Sequence, residues 1–400
     1  MKSEWTYRPL GELVSFASGG TPSKKRDDYW GGTIPWISAK TLKTENIDTS
    51  DLFITEEGLK AGSKIAPKGS ILLLTRGSGL FNGIPIARVE KDVAFNQDIK
   101  CLDSYGEVEN EFIFYWLLSQ KDYLMAKVGV TGIGAGKFDL DFLQKLMIPI
   151  PSERERKSIV GFANSISEKI RCNAKVNDNL EQQAVALFKS WFVDFSLFGG
   201  TVPENWEDTT LENITTLITH GIAPKYSDNS DQTVVNQKCI RNHTIDLSLA
   251  RTHTPKAINE KWLKFGDLLI NSTGDGTLGR VAQVWFAPKA LTVDSHVTIV
   301  RPAREELIFY IGLWGILHEK EIESLHTGST GQTELPRDRV KKLKLLLPDN
   351  ISLSRFNSII APMASTIISN QEENQKLASL RDTLLPKLMS GEIDVSSIQL

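Results

Sequence analysis

Cysteine is scarce. Cys101, Cys172 and Cys239 lie far apart and are odd in number. They form neither a disulfide framework nor a metal-binding spacing, and a reducing cytoplasm is the compartment this usage suggests. Long apolar runs are missing as well. No stretch of 18 apolar residues occurs, so a membrane-spanning helix is not expected. The opening MKSEWTYRPL holds no apolar core, so a secretory signal peptide is not expected either. Charge of one sign is lacking too. The 46 Lys and Arg stand against 49 Asp and Glu, for a net charge of -3. That disfavours a uniformly basic nucleic-acid binder, although a local basic face can coexist with acidic helices.

Motifs for chemistry are also missing. GVTGIGAGKF (residues 129–138) resembles a P-loop but departs from it twice. Thr131 stands where a glycine is required, and Phe138 stands where a Ser or Thr would hold magnesium. No GxGxxG occurs between a strand and a helix, which leaves a dinucleotide or S-adenosylmethionine cradle unsupported. No Asn-Pro-Pro-aromatic or Asp-Pro-Pro-aromatic tetrapeptide occurs, so amino-methylation of a base within this chain is not expected. The six histidines, among them His220, His243, His253 and His296, show no paired metal spacing. His296 in VDSHV is expected within a strand, as a packed or hydrogen-bonded side chain rather than a catalytic one. No metal site and no catalytic residue is expected.

What is present is periodicity. Residues 152–195 place Ile159, Ala163, Ile166, Ile170, Leu180, Ala184, Leu187 and Trp191 at alternating steps of three and four. Residues 351–391 do the same with Phe356, Ile360, Met363, Ile367, Leu377, Leu384 and Leu388. That spacing puts one apolar stripe along a long helix. Each stripe is interrupted alike, by Asn173 and Asn177 in the first and by Asn370 and Asn374 in the second, each pair 197 residues apart. A buried Asn on such a seam costs stability and fixes register and partner choice. Matched interruptions suggest that the helices pack on each other or on equivalent partners, with these four residues as register markers.

The same offset runs through the rest of the chain, so the chain reads as a tandem repeat. WTYRPLGEL (residues 5–13) answers to WEDTTLENI (206–214), and KGSILLLTRGSG (68–79) to FGDLLINSTGDG (265–276). Strands are expected at 84–89 and 280–285, then at 94–102 and 291–301; helices are expected at 109–127 and 304–325. A second glycine-rich loop follows in each half, GVTGIGAG (129–136) and TGSTGQ (327–332). The fold class is therefore α+β, with two repeated globular units and two long helices that would give pseudo-two-fold symmetry. The expected boundaries are 1–151 and 199–348 for the globular units, with helical spacers at 152–198 and 349–400.

The remaining chemistry is that of binding. Glycine allows close backbone approach, and Ser, Asn, Lys and Arg donate to phosphates or base edges. For any one loop, hairpin turns and solvated polar residues are a sufficient explanation. Two such loops at equivalent places in both halves point to an interface. The candidates are Lys24, Lys25, Arg26, Lys40, Arg76, Ser78, Asn82 and Lys137 in the first half. In the second they are Lys225, Tyr226, Ser272, Thr273, Arg280 and Gln332.

Several strings, in order, resemble the specificity subunit of type I restriction-modification systems. They are GELVSFASGGTPSK (11–24), IPWISAKTL (34–42), LMIPIPSERE (146–155), ALFKSWFVDF (186–195) and LLPKLMSGEIDV (384–395). The resemblance implies two target recognition domains, each reading half of a bipartite, asymmetric site on double-stranded DNA. It implies an antiparallel coiled coil that sets the gap between the halves. Two modification subunits carrying S-adenosylmethionine would dock on the chain and methylate adenine, and restriction subunits using ATP and magnesium would cleave. The chain itself would be a non-catalytic, cytoplasmic specificity subunit without a cofactor. The family often has a Pro-Pro and Glu-Gln pair before each helix; here PSERER (151–156) and PDNISLSR (348–355) depart from it. A coiled-coil adaptor whose globular units bind protein is the competing expectation.

Overall fold

Ile71–Leu74 is an unbroken apolar tetrapeptide, and all four residues are buried. A strand covered on both faces needs such a run, since neither face meets water. It is the middle of a five-stranded sheet with neighbours Ile99–Ser104 and Ile86–Val89, flanked by Val14–Ser18 and Asn46–Ile47. The helix Asn110–Ser119 packs on Ile86–Val89 and buries every residue from Phe112 to Leu118. In this computed structural model the described residues are 5–132, 134–228, 230–274, 276–328 and 333–394. The chain divides into two units, residues 1–171 with 374–400, and residues 172–373.

The second unit repeats the central strands of the first, with four strands in its main sheet where the first has five. Leu268–Asn271 pairs antiparallel with Val297–Pro302 and Val281–Gln283, and Thr215–His220 lies outside Val297–Pro302. Leu74 faces Ile99 across the first sheet, and Asn271 faces Val297 at the matching point of the second. The expected strands at 94–102 and 291–301 are each broken into two that join different sheets. Val93–Phe95 ends at Asn96, whose Oδ1 accepts from the Asp98 amide (3.2 Å) before Ile99–Ser104 begins. Leu291–Val293 ends before Asp294, whose Oδ1 accepts from the His296 amide (2.9 Å). His296 therefore sits in a turn and not in a strand. Asn and Asp side chains offer the backbone such local alternatives to the ladder. The expected helices at 109–127 and 304–325 are likewise broken, near Gln120 and His318.

Both long helices form, as Glu153–Phe192 and Asn350–Met389, each 40 residues. Within unit 1, Ile159 and Ala163 of the first join one core with Leu385, Leu388 and Met389 of the second. Within unit 2, Ala184, Phe188 and Trp191 meet Leu353, Phe356 and Ile360. The start of one helix thus packs with the end of the other, the arrangement of an antiparallel pair. Phe188, Ala364 and Leu385 carry burial that the spacing gave to Leu187, Met363 and Leu384. A straight helix turns in 3.6 residues, so a 3.5-residue stripe drifts round it. The Asn markers are engaged. In unit 2, Asn370 Nδ2 donates to Asn177 Oδ1 (2.8 Å) and Asn173 Nδ2 to Glu373 Oε2 (2.7 Å). In unit 1, Asn374 Nδ2 donates to the Ile170 carbonyl (3.3 Å). No helix among the described residues is long and apolar enough to cross a membrane.

The helix starts use one device in two versions. Ser152 caps the first helix, and Glu155 accepts from the Ser152 amide (3.0 Å) and hydroxyl (2.6 Å). Trp5 Nε1 approaches the same Glu155 carboxylate (3.4 Å). At the second helix the acid and the serine exchange places. Asp349 is the cap, accepting from Ser352 Oγ (2.7 Å), the Ser352 amide (3.0 Å), the Ile351 amide (2.9 Å) and Trp206 Nε1 (2.8 Å). Burial alone would raise the Asp349 carboxyl; the hydrogen bonds from Ser352, Trp206 and Ile351 outweigh it and hold it at about 2. The folded value lies below the unfolded one, so the stabilisation is present above the ordinary carboxylate range and is lost as pH falls through about 2. Asp349→Ala is expected to cost about 1–2 kcal/mol at pH 7. Urea unfolding should show the gap between variant and parent closing below about pH 4; a gap of equal size at pH 3 would contradict this.

Candidate nucleic-acid interface

In unit 1 the two glycine-rich loops converge on one small sheet. Gly136–Lys137 pairs with Arg76–Gly77 on one side and with Gly129–Val130 on the other. The Phe138 amide donates to the Thr75 carbonyl (2.9 Å), and the buried Phe138 ring anchors the sheet to the core. Close approach requires Gly136, because a Cβ there would lie 2.9 Å from Leu80 Cβ and 3.1 Å from the Gly77 carbonyl. Gly77 has φ 140°, which a side chain rarely tolerates.

This geometry sets Arg76 directly opposite Lys137. Both are exposed. Among the described residues neither forms an ion pair. Like charges facing each other across a ladder are unfavourable, and an anion between them would relieve the repulsion. Ser78, exposed, begins the adjoining helical turn Ser78–Phe81, and Asn82, also exposed, follows it. Lys40 lies in the turn beside this edge, since Ala39 Cβ is 3.8 Å from where a Gly77 Cβ would stand. Lys24, Lys25 and Arg26 belong elsewhere, on the loop before the strand Trp30–Ile37. Arg26 is already engaged there, bidentate with Asp28 (2.8 and 2.6 Å) and over the Tyr29 ring.

Unit 2 builds the same edge with other residues. Glu334 bridges Thr273 on one side and Thr327 on the other. The Leu335 amide donates to the Ser272 carbonyl (2.8 Å), and Leu335 is buried like Phe138. Ser272 is itself buried, with its hydroxyl bonded to Thr298, so it supports the edge from within. Thr273 Oγ1 lies 2.8 Å from His296 Nδ1 and 3.2 Å from Gln237 Oε1. His220 approaches Glu334 at 4.0 Å. Burial, and then Arg337, lower the His220 pKa and favour the neutral ring. Arg280 turns back to the Gly276 carbonyl (2.7 Å). Lys225 is exposed, and Tyr226 lies under the Arg251 guanidinium at 3.8 Å. Gln332 lies outside the described residues, as do Asp275, Ser329 and Thr330.

The spacing alone did not single out Glu334, His220 or Gln237. A signal for Glu334 was available: the 197-residue offset carries Arg76 onto Thr273 and Lys137 onto Glu334. Among the described residues no group of three His, Cys, Asp or Glu is placed to hold a metal ion.

Residues 2–182 match the family model of the type I restriction modification DNA specificity domain. Over 99% of its length the chain is 27% identical to the type I restriction enzyme MjaIX specificity subunit of Methanocaldococcus jannaschii, covering 95% of that protein. It is 31% identical over 161 residues to the EcoR124I/EcoR124II specificity subunit of Escherichia coli, 40% of each chain. Its fold is similar to the crystal structure of a type I restriction-modification S subunit from M. genitalium, with a TM-score of 0.54, 17% identity and 96% of both chains covered.

Proposed function

We propose that the chain is a specificity subunit of a type I restriction-modification system, and that its parts divide the work as follows. Residues 1–151 and 199–348 are the two target recognition domains, each reading one half of a bipartite, asymmetric DNA site. Residues 152–198 and 349–400 are the spacers, and their length sets the gap. Two modification subunits dock on the chain and carry S-adenosylmethionine; restriction subunits bring ATP and magnesium. The chain contributes recognition and no bond-making step.

One observation carries the DNA-facing assignment. Both units expose an edge built from two glycine-rich loops at repeat-equivalent positions, and in unit 1 that edge holds Arg76 opposite Lys137 with no acid paired to either among the described residues. Phosphate or a guanine edge supplies the missing acceptor. Partner subunits share the phosphate contacts, which fits a chain of net charge -3.

The test is methylome sequencing of a host expressing this chain with its modification subunit. The expected motif has two short specified halves separated by a fixed unspecified gap. If no bipartite site is methylated, and none is protected in footprinting at any salt, the adaptor reading takes over.

A further inference from the structure

We infer that the two recognition units read opposite hydrogen-bond polarity at the same structural position, with Glu334 as a specificity-determining residue for adenine or cytosine, the bases that present an amino group in the major groove. The inference rests on the DNA-reading role proposed above and adds to it which chemistry each edge accepts.

The repeat brings one backbone frame to two different side-chain pairs. In unit 1 the paired positions are Arg76 and Lys137; in unit 2 they are Thr273 and Glu334. On the side that joins these pairs the frame is the same down to its anchor, the Phe138 amide to the Thr75 carbonyl in one (2.9 Å) and the Leu335 amide to the Ser272 carbonyl in the other (2.8 Å); on the far side the pairing shifts by one residue, with Lys137 facing Gly129 and Glu334 facing Thr327. The difference is therefore one of charge and not of position.

A free carboxylate on a DNA-facing edge needs a reason. Phosphates repel it, and so do the acceptors O6 and N7 of guanine and O4 of thymine. Only the amino groups, N4 of cytosine and N6 of adenine, donate to it in the major groove. The Glu334 side chain is 64% exposed, and its nearest cationic candidate, His220 at 4.0 Å, is disposed to be neutral. Its charge is thus not cancelled by that neighbour. Beside it, Thr273 Oγ1 is held by His296 and Gln237, so a small, fixed hydroxyl flanks the carboxylate. Arg337 lies near His220 and adds a cation for phosphate in the same region.

Unit 1 has the converse pattern. Two cations, with no acid ion-paired to either among the described residues, suit the paired acceptors of guanine, the commonest specific partner of Arg and Lys. The edge in unit 1 therefore selects for acceptors, and the edge in unit 2 selects against them.

The test uses the full chain assembled with its modification subunits and a randomised-target methylation assay. In Glu334→Gln the repulsive element is lost and the amide both donates and accepts. One position in the unit 2 half-site should become degenerate, with methylation of sites bearing guanine or thymine there rising about 10- to 100-fold. The unit 1 half-site should stay as it is. The double variant Thr273→Arg with Glu334→Lys should shift that position towards guanine. An unchanged motif in both variants overturns the inference while leaving the recognition role intact. Failure of the parent complex to methylate any bipartite site would instead overturn the recognition role. Because the Glu334 backbone makes the bridge and its side chain is largely exposed, Glu334→Gln removes no described hydrogen bond and should keep the parent's thermal midpoint, whereas the double variant also loses the Thr273 hydroxyl's contacts with His296 and Gln237 and is read only if its midpoint stays above the assay temperature.

Discussion

Replacing Arg381 with alanine lowers stability at pH 7 by about 2–3 kcal/mol, an amount set by what is left behind rather than by what is removed. Arg381 occupies the apolar seam of the second long helix, and its side chain is 9% exposed. Its guanidinium grips Glu45 with two bonds, 2.6 and 3.1 Å, while Nε takes Asp382 at 2.9 Å. Lys121 reaches the same Glu45 at 3.2 Å. Burial raises the Glu45 carboxyl, and Arg381 with Lys121 more than reverses that, so it ends below the usual carboxylate range. Without Arg381, Glu45 keeps one partly exposed lysine and most of its desolvation cost. Residual exposure and Lys121 keep the loss under the ~3–5 kcal/mol of a fully buried broken pair. The sign of the pH dependence follows. A carboxyl depressed in the folded state contributes stability above its unfolded pKa and loses it as pH falls, so the penalty for Arg381→Ala should shrink towards pH 4. Replacing both partners, Glu45→Leu with Arg381→Leu, should return to within about 1 kcal/mol of the parent. Urea denaturation of the three proteins reads all of this; an Arg381→Ala midpoint equal to the parent's refutes it.

Removing one heptad from each long helix, in the register that sets Asn173 against Glu373, should shorten the recognised gap. Seven residues advance about 10 Å, close to three base-pair steps. The helix returns almost to phase over seven residues, drifting about 20°. DNA does not: three base pairs turn it by roughly 100°. The shortened protein must therefore twist the DNA or reach round it, and affinity for its new best site should fall about tenfold or more. Both half-site sequences should be unchanged. A motif with altered halves and the original gap would end the idea that helix length is the measuring element.

Much of this was legible beforehand because a tandem repeat writes each element twice. The offset joining Asn173 to Asn370 also joins Arg76 to Thr273, and the apolar spacing put both long helices within three residues of their observed ends. What escaped was set by distant partners or by competing local bonds. Arg381 sits on a seam position because Glu45, 336 residues away in sequence, neutralises it; no spacing rule reveals that. The strand breaks at Asn96 and Asp294 come from side chains bonding their own backbone two residues on. The pairing of Arg76 with Lys137 depended on two loops meeting, which apolar periodicity does not report. Of the register residues, Asn177 and Asn370 bond to each other, Asn173 bonds to Glu373, and Asn374 bonds to the Ile170 carbonyl.

The exchanged helix caps bear on how such a molecule changes over generations. Ser152 with Glu155 and Asp349 with Ser352 are the same pair in opposite order, each with a tryptophan on the acid. If the halves descend from one ancestor, no single substitution connects the two versions. Changing one position alone leaves either two acids crowding one helix start or two hydroxyls with no carboxylate for Trp5 or Trp206. A lineage crossing between them passes through a weakened intermediate, so each half's cap is expected to be inherited as a unit, travelling with its own tryptophan.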